Sequence, residues 1–276
     1  MAERRYSLPG GELRVHGWQD ATMDAAAELG ADLVERQVRA GEFIEFLGAP
    51  AYLKAGPLGP SAARRHGLRR LLLRAHAPRI AEYNNLCWLL NRLFETPIPH
   101  AAGVLIRRGL PRYQFLLTAK EPARPFADAL ADLSPGERGE VLAELGREVA
   151  RFHSLHFVHR DLYPRNLLLR GPEQARRVVF LDAWAGGPGP GRRGPAYDLG
   201  CFFLDGARDL SPDEQAAFLG AYFAGRASQE SSVNAAALLR RAARARCRLV
   251  AQLKAEPARL RGRDLPPADW TPPLIG

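Results

Sequence analysis

The sequence predicts an α+β fold in two lobes, a small β-rich N-lobe followed by a mostly helical C-lobe. Three observations carry this. Period-2 apolar stretches crowd residues 33–55, and residues 104–118 read as a hairpin. Two helix-start signatures stand later, at Ser134 and Ser211. A long basic helical pattern then runs from Ala237 to Ala255. Strands first and helices after argue for segregated layers rather than alternating βαβ units.

The elements follow in chain order. Residues 1–30 have a mixed pattern and are read as an N-terminal extension. LVERQVRAGEFIEFLGAPAYLKA, residues 33–55, alternates between apolar and polar and is broken at Gly41 and at Gly48-Ala-Pro50, which predicts a meander of short strands. The basic stretch up to Pro78 reads as irregular. In AEYNNLCWLLNRLF, Leu86, Leu89, Leu90 and Leu93 recur at helical spacing. VLIRRGLPRYQFLLT predicts a hairpin closed around Gly109-Leu110-Pro111. Ser134-Pro135-Gly136-Glu137 and Ser211-Pro212-Asp213-Glu214 are capping boxes with proline at the first helical position. Between those helices, Leu167–Leu169 and VVFLD at 178–182 predict two short strands. The expected layout is an extension over 1–30, an N-lobe over 31–118, a C-lobe over 119–255 with a basic C-terminal helix, and a Pro-rich tail over 256–276.

Composition bounds the function classes. At 276 residues, 46% apolar and 25% charged, the chain can bury a sizeable core. Cys87, Cys201 and Cys247 are too scattered for a disulfide framework or a zinc site, so a reducing compartment is expected. No secretory leader and no spanning segment is seen, and a cytoplasmic location is the expectation. The net charge of +9 invites an anionic partner. No nucleic-acid motif accompanies that charge, so no nucleic-acid partner is expected.

The chemistry gathers in VHRDLYPRNLLL, residues 158–169. Asp161 sits in a polar loop pinned by apolar runs, where a carboxylate can take a proton from a hydroxyl nucleophile. Asn166 offers a neutral oxygen suited to a hard cation such as Mg²⁺. Asp182 ends the strand-like VVFLD. Lys54 ends the strand-like AYLK, and Glu82 opens the apolar helix where it can fix that lysine. Lys54, Glu82, Asp161, Asn166 and Asp182 thus occur in the order that phosphoryl transfer requires.

His159-Arg160-Asp161-Leu162-Tyr163-Pro164-Arg165-Asn166 matches the H-R-D-x-x-x-x-N catalytic loop of the protein-kinase-like fold. The wording HRDLY, the long gap between Lys54 and Glu82, and the basic insertion within that gap most resemble the lipopolysaccharide core kinases, which phosphorylate Kdo or heptose. The resemblance spans about residues 33–225. It implies a bilobal kinase fold with ATP between the lobes and a hinge near Thr118–Glu121. Asp161 would be the catalytic base. Asn166 and Asp182 would be the metal ligands for Mg²⁺. Lys54, paired with Glu82, would contact the ATP phosphates. Asp198 in AYDLG would brace the catalytic loop, although by position alone it also reads as a helix N-cap. Tyr163 stands where the family usually has a lysine, and Arg165 supplies a charge where tyrosine kinases place an arginine.

Other features narrow the acceptor. No G-x-G-x-x-G stands over the expected phosphate position, and Gly41 is the only glycine in the expected phosphate-side turn. Asp182 opens Asp-Ala-Trp rather than Asp-Phe-Gly. The segment between Asp182 and Asp198 is short, Gly/Pro-rich and free of serine and threonine, which suits a sugar better than a peptide. The expected acceptor is therefore a phosphorylated glycolipid or sugar. A kinase of another small hydroxyl compound and a pseudokinase scaffold are the alternatives. Two basic stretches, Arg64, Arg65, Arg69, Arg70 and Arg74, and the arginines of 240–248 with Lys254, are read either as solvated faces or as docking sites for a glycolipid or the anionic inner membrane face. His153, His156 and His159 are read as packing and capping groups rather than a metal site.

Overall fold

The structure is a computed structural model that describes residues 2–73, 75–172, 175–189, 194–229, 234–260 and 264–273. Arg74, and residues 190–193 of the segment before Asp198, lie outside the described residues. The chain divides into two compact units, residues 1–122 with 183–185, and residues 123–182 with 186–276.

The first unit is built on a six-stranded antiparallel sheet, in the order β1-β2-β5-β6-β4-β3. Its strands are β1 (Ala2–Leu8), β2 (Gly11–Gly17), β3 (Ala40–Phe46), β4 (Ala49–Pro57), β5 (Pro99–Arg107) and β6 (Leu110–Ala119). Its helices are α1 (Asp20–Glu35), α2 (Pro60–Leu73) and α3 (Pro78–Leu90). Residues 1–30 are therefore no extension. β1 and β2 extend the sheet at β5, and α1 supplies Met23, Ala26, Ala27, Leu33 and Val34 to its core. The alanine-rich text of α1 carries too few large apolar side chains to declare its face in the sequence.

Each tight hairpin is closed by the residues that its turn demands. Pro9-Gly10 joins β1 to β2 with Gly10 at φ 75°, as a type II turn requires. Leu47-Gly48 and Arg108-Gly109 each place two residues at positive φ, the two-residue geometry whose twist matches paired strands. The second hairpin thus turns at Arg108-Gly109, one residue before the position expected. Gly41 is not in a turn at all; it lies in β3 directly opposite Lys54.

Both faces of the sheet are covered, which is why β5 and β6 read as nearly continuous apolar runs. Ala101 and Leu105 of β5, with Tyr113, Phe115 and Leu117 of β6, join the α1 core. Ala102, Val104, Ile106 and Leu116, on the alternate positions, pack with Ile80, Tyr83, Leu86 and Cys87 of α3. The Phe115 ring fills the space beside Gly30 and Gly103. A Cβ at either glycine would lie 2.5 or 2.2 Å from it.

The second unit contains α4 (Phe126–Ala131), α5 (Pro135–Ser154), α6 (Gly194–Asp209), α7 (Pro212–Ala227) and α8 (Ala235–Ala255), with short strands β7 (Arg124–Pro125), β8 (Phe157–Val158), β9 (Leu167–Arg170), β10 (Arg177–Phe180) and β11 (Gly187–Pro188). Both capping boxes form as read, at Ser134 with Glu137 and at Ser211 with Glu214. Close helix crossings rest on glycine. A Cβ at Gly146 of α5 would sit 2.3 Å from the Phe218 carbonyl oxygen of α7. Within the described part of the proline-rich tail, Ala268 and Trp270 are docked on the second unit. Trp270 stacks on Phe203 at 4.5 Å and donates its indole N–H to Gln215 at 3.0 Å. Arg246 of α8 is fully buried and donates to the Phe203 and Ala268 carbonyls.

Candidate active site

Two groups of the expected site residues form, one in each unit. In the first unit, Lys54 lies mid-strand in β4, between Gly41 of β3 and Leu116 of β6. Its ammonium meets the Glu82 carboxylate at 2.8 Å, and Glu82 is 1% exposed. A buried carboxylate needs a cation, and this one has two, since Arg79 approaches its other oxygen at 2.5 Å. Arg79 was not anticipated, though its spacing of three from Glu82 on one helix is the available signal. On the next turn of α3, Asn85 donates to the Ala183 carbonyl at 2.6 Å and so anchors the residue that follows Asp182.

In the second unit, the loop after β8 is shaped by its backbone. Arg160 has φ 62°, a left-handed conformation that costs a non-glycine residue about 1–2 kcal/mol. Asp198 holds that turn. Its carboxylate is fully buried and accepts the His159 and Arg160 amides at 2.7 and 2.6 Å. Asp198 is the fifth residue of α6, not its N-cap. The same carboxylate meets His153 Nε2 at 3.1 Å, and His153 Nδ1 meets the Tyr222 hydroxyl at 3.0 Å. Burial pushes the His153 pKa down despite Asp198. A neutral ring fits both contacts, with Nε2–H donating and Nδ1 accepting. His156, at φ 57°, turns the chain from α5 into β8, and His159 is buried against Phe180.

The loop then folds back on itself. The Tyr163 amide donates to the Asp161 carbonyl, and the Asn166 side-chain amide donates to that same oxygen, both at 2.8 Å. The Leu181 amide donates to the Asn166 carbonyl at 2.9 Å, tying this loop to the chain that leads into Asp182. The Asp161 carboxyl is held above the ordinary carboxylate range, mainly by burial. Arg165 opposes the shift and the neighbouring Asp182 adds to it. Arg165 sits 3.8 Å from Asp161 and 4.0 Å from Asp205, with its guanidinium over the Tyr163 ring at 3.8 Å. Asp205, in α6, went unanticipated because its only signal is tertiary.

Asp182 does not end a strand. β10 stops at Phe180, and Asp182 adopts a left-handed φ of 55°. Four residues on, Gly186 lets β11 run against the loop, since a Cβ there would lie 2.3 Å from the Val158 carbonyl oxygen. Asp161, Arg165, Asn166 and Asp182 are thus held within one unit by backbone hydrogen bonds and two left-handed residues, a setting in which strain is retained by its surroundings. The donor set fits a hard divalent cation. Asp161 and Asp182 are close enough to repel, and Asn166 commits its N–H group inward, which leaves Oδ1 for a cation. Among the described residues, no group of three or more His, Cys, Asp or Glu side chains is arranged to hold a metal.

The chain is similar in part to known proteins. Residues 66–184 match the Lipopolysaccharide kinase (Kdo/WaaP) family. No curated protein matches the chain in sequence. Among solved structures, WaaP in complex with acyl carrier protein is similar with a TM-score of 0.54 and 16% identity, over 90% of this chain and 99% of that one. A double mutant of the PknI kinase domain of Mycobacterium tuberculosis follows with a TM-score of 0.39 and 16% identity, over 72% of this chain and 89% of that one. The fold is thus like that of WaaP, and residues 66–184 carry the sequence pattern of the Lipopolysaccharide kinase (Kdo/WaaP) family.

Proposed function

We propose that this protein transfers the terminal phosphoryl group of ATP to a hydroxyl of a lipopolysaccharide core sugar, Kdo or heptose, or of a related glycan. The observation that carries the reading is the loop 159–166, with its carboxylate, guanidinium and amide, inside the span that matches a lipopolysaccharide kinase family.

Each residue then has a task. Asp161 accepts the proton of the acceptor hydroxyl as its oxygen bonds to the γ-phosphorus and the bond to ADP breaks. Arg165, beside Asp161, offsets charge on the transferring phosphoryl group. Lys54, fixed by Glu82, holds nucleotide phosphates. Asn166 Oδ1 and the Asp182 carboxylate would hold Mg²⁺, which when bound neutralises phosphate charge. A glycolipid acceptor of this kind is met at the cytoplasmic face of the inner membrane, where ATP is supplied.

The test is transfer from γ-labelled ATP, with Mg²⁺, to dephosphorylated lipopolysaccharide, wild type beside Asp161→Ala. Label on the glycolipid from wild type alone supports the reaction and the base together. ATP binding with no label on any glycan refutes the proposal and leaves the scaffold reading in its place.

A further inference from the structure

The two basic helices are physically unlike. On α8, Arg246 is turned inward as a strut, and the exposed positions Arg240, Arg241, Arg244, Arg248 and Lys254 have no exposed large apolar side chain among them. That is a solvated basic face. On α2, four leucines in six residues stand in solvent, with Leu68 57%, Leu71 80%, Leu72 68% and Leu73 69% exposed. Single exposed leucines are ordinary, but a cluster of them between arginines needs an occupant.

We propose that α2 is an interfacial helix whose outward face lies in the headgroup layer of an anionic bilayer. Leu68, Leu71 and Leu72 enter the acyl boundary, and Arg64, Arg65 and Arg69 meet lipid phosphates. The inference goes beyond the phosphotransfer reading and holds whatever the acceptor is.

Four observations support it. First, the leucines cannot turn inward. The inner face of α2 is already packed through Ala63, His66 and Gly67, and a Cβ at Gly67 would lie 2.4 Å from the Leu110 side chain. Arg70 pins the helix end by donating to the Gly109 carbonyl at 2.7 Å. Second, spacing places Leu68 and Leu72 one turn apart on the side opposite that inner face, flanked by Arg64, Arg65 and Arg69, which is the pattern of a helix lying in an interface. Third, the charge is uncompensated. No acidic residue occurs between Glu45 and Glu82, and Arg64, Arg65 and Arg69 form no ion pair with any described residue. The basic face continues onto the neighbouring hairpin turns, where Arg107, Arg108 and Arg112 line a shallow recess with Pro9 and Gly10. Fourth, the leucines stand on the outer side of a helix whose inner side is packed, an arrangement that suits a planar, deformable surface with an anionic outside and an apolar inside. An acidic protein would have to offer a groove matched to that face.

The test is co-sedimentation of the full chain with vesicles. One set is phosphatidylcholine with 30 mol% phosphatidylglycerol as the probe, and the other is phosphatidylcholine alone. Wild type is expected on the anionic vesicles only, with binding falling as salt is raised from about 0.1 to 0.5 M. Arg65→Glu with Arg69→Glu should weaken binding at least about 25-fold, given about fivefold per arginine near an anionic surface. Leu68→Ser with Leu72→Ser keeps every charge and should weaken binding about tenfold or more. All four side chains are exposed, so far-ultraviolet circular dichroism should match wild type. Failure of wild type to bind anionic vesicles overturns the proposal and leaves a soluble acidic partner for this face. Binding unchanged in the leucine variant overturns the insertion, because charge alone would then suffice.

Discussion

Replacing Asp198 with alanine should do more damage than the loss of any other single carboxylate in the second unit. The group is fully buried and accepts two backbone amides at 2.7 and 2.6 Å, besides its contact with His153. Truncation leaves the His159 and Arg160 amides buried without an acceptor, at about 1–3 kcal/mol each. The neutral His153 leaves no stranded charge, but its Nε2–H becomes a third buried donor without an acceptor. The expected loss is about 3–9 kcal/mol, a large part of the roughly 5–15 kcal/mol that a domain typically has. Asp198→Asn keeps one acceptor oxygen and should lose about half as much. Urea unfolding of both variants, followed by Trp270 emission with Trp18, Trp88 and Trp184 replaced by phenylalanine, reads the second unit, since those three belong to the first. Native-state hydrogen exchange at amides 159 and 160 localises the effect. A midpoint shift worth under about 0.5 kcal/mol in the alanine variant would refute the reasoning, because orphaned buried donors cannot be that inexpensive.

Further outcomes follow from the same geometry. Glu82→Gln leaves Lys54 and Arg79 beside a neutral amide, and should raise the KM for ATP more than it lowers kcat in the labelled-transfer assay. Asp182→Asn should weaken the Mg²⁺ dependence of ATP binding measured by calorimetry, and an unchanged dependence would remove it from the ligand set. Hydrogen bonds from Ser134 and Arg176 hold the Glu137 carboxyl down at about 2, against an ordinary 4.5. A depressed carboxylate contributes stability above its unfolded pKa that is lost as pH falls through the folded one. Glu137→Gln should therefore flatten the stability profile between about pH 4.5 and pH 2, and a profile parallel to wild type would count against the pairing.

Much of this protein was legible one residue at a time. The capping boxes at Ser134 and Ser211 were readable because the cap and its partner lie three residues apart on one chain. The loop from His159 to Asn166 was readable because its chemistry is set by spacing within eight residues, and its motif marked the fold. The pairing of Lys54 with Glu82 was inferred from order, and it forms. What the sequence left obscure depends on partners distant in the chain. α1 hides its buried face in small alanines, whose role appears only against Phe115 and Leu13 on the sheet. Gly41 looked like a turn residue, but a strand register, fixed by pairing with Lys54, puts it mid-ladder. Asp198 read equally well as a cap or a brace, and the difference is whether its carboxylate meets its own helix or amides 38 and 39 residues away. The two basic stretches were alike in charge, although the first was read as irregular and forms α2. Only burial separates them, because a helix places every third or fourth side chain inward, and which arc that is depends on the surface beneath. The local code thus determined the loop from His159 to Asn166 and the α+β fold class, while long-range packing decided the sheet edge, the brace and the face left to solvent.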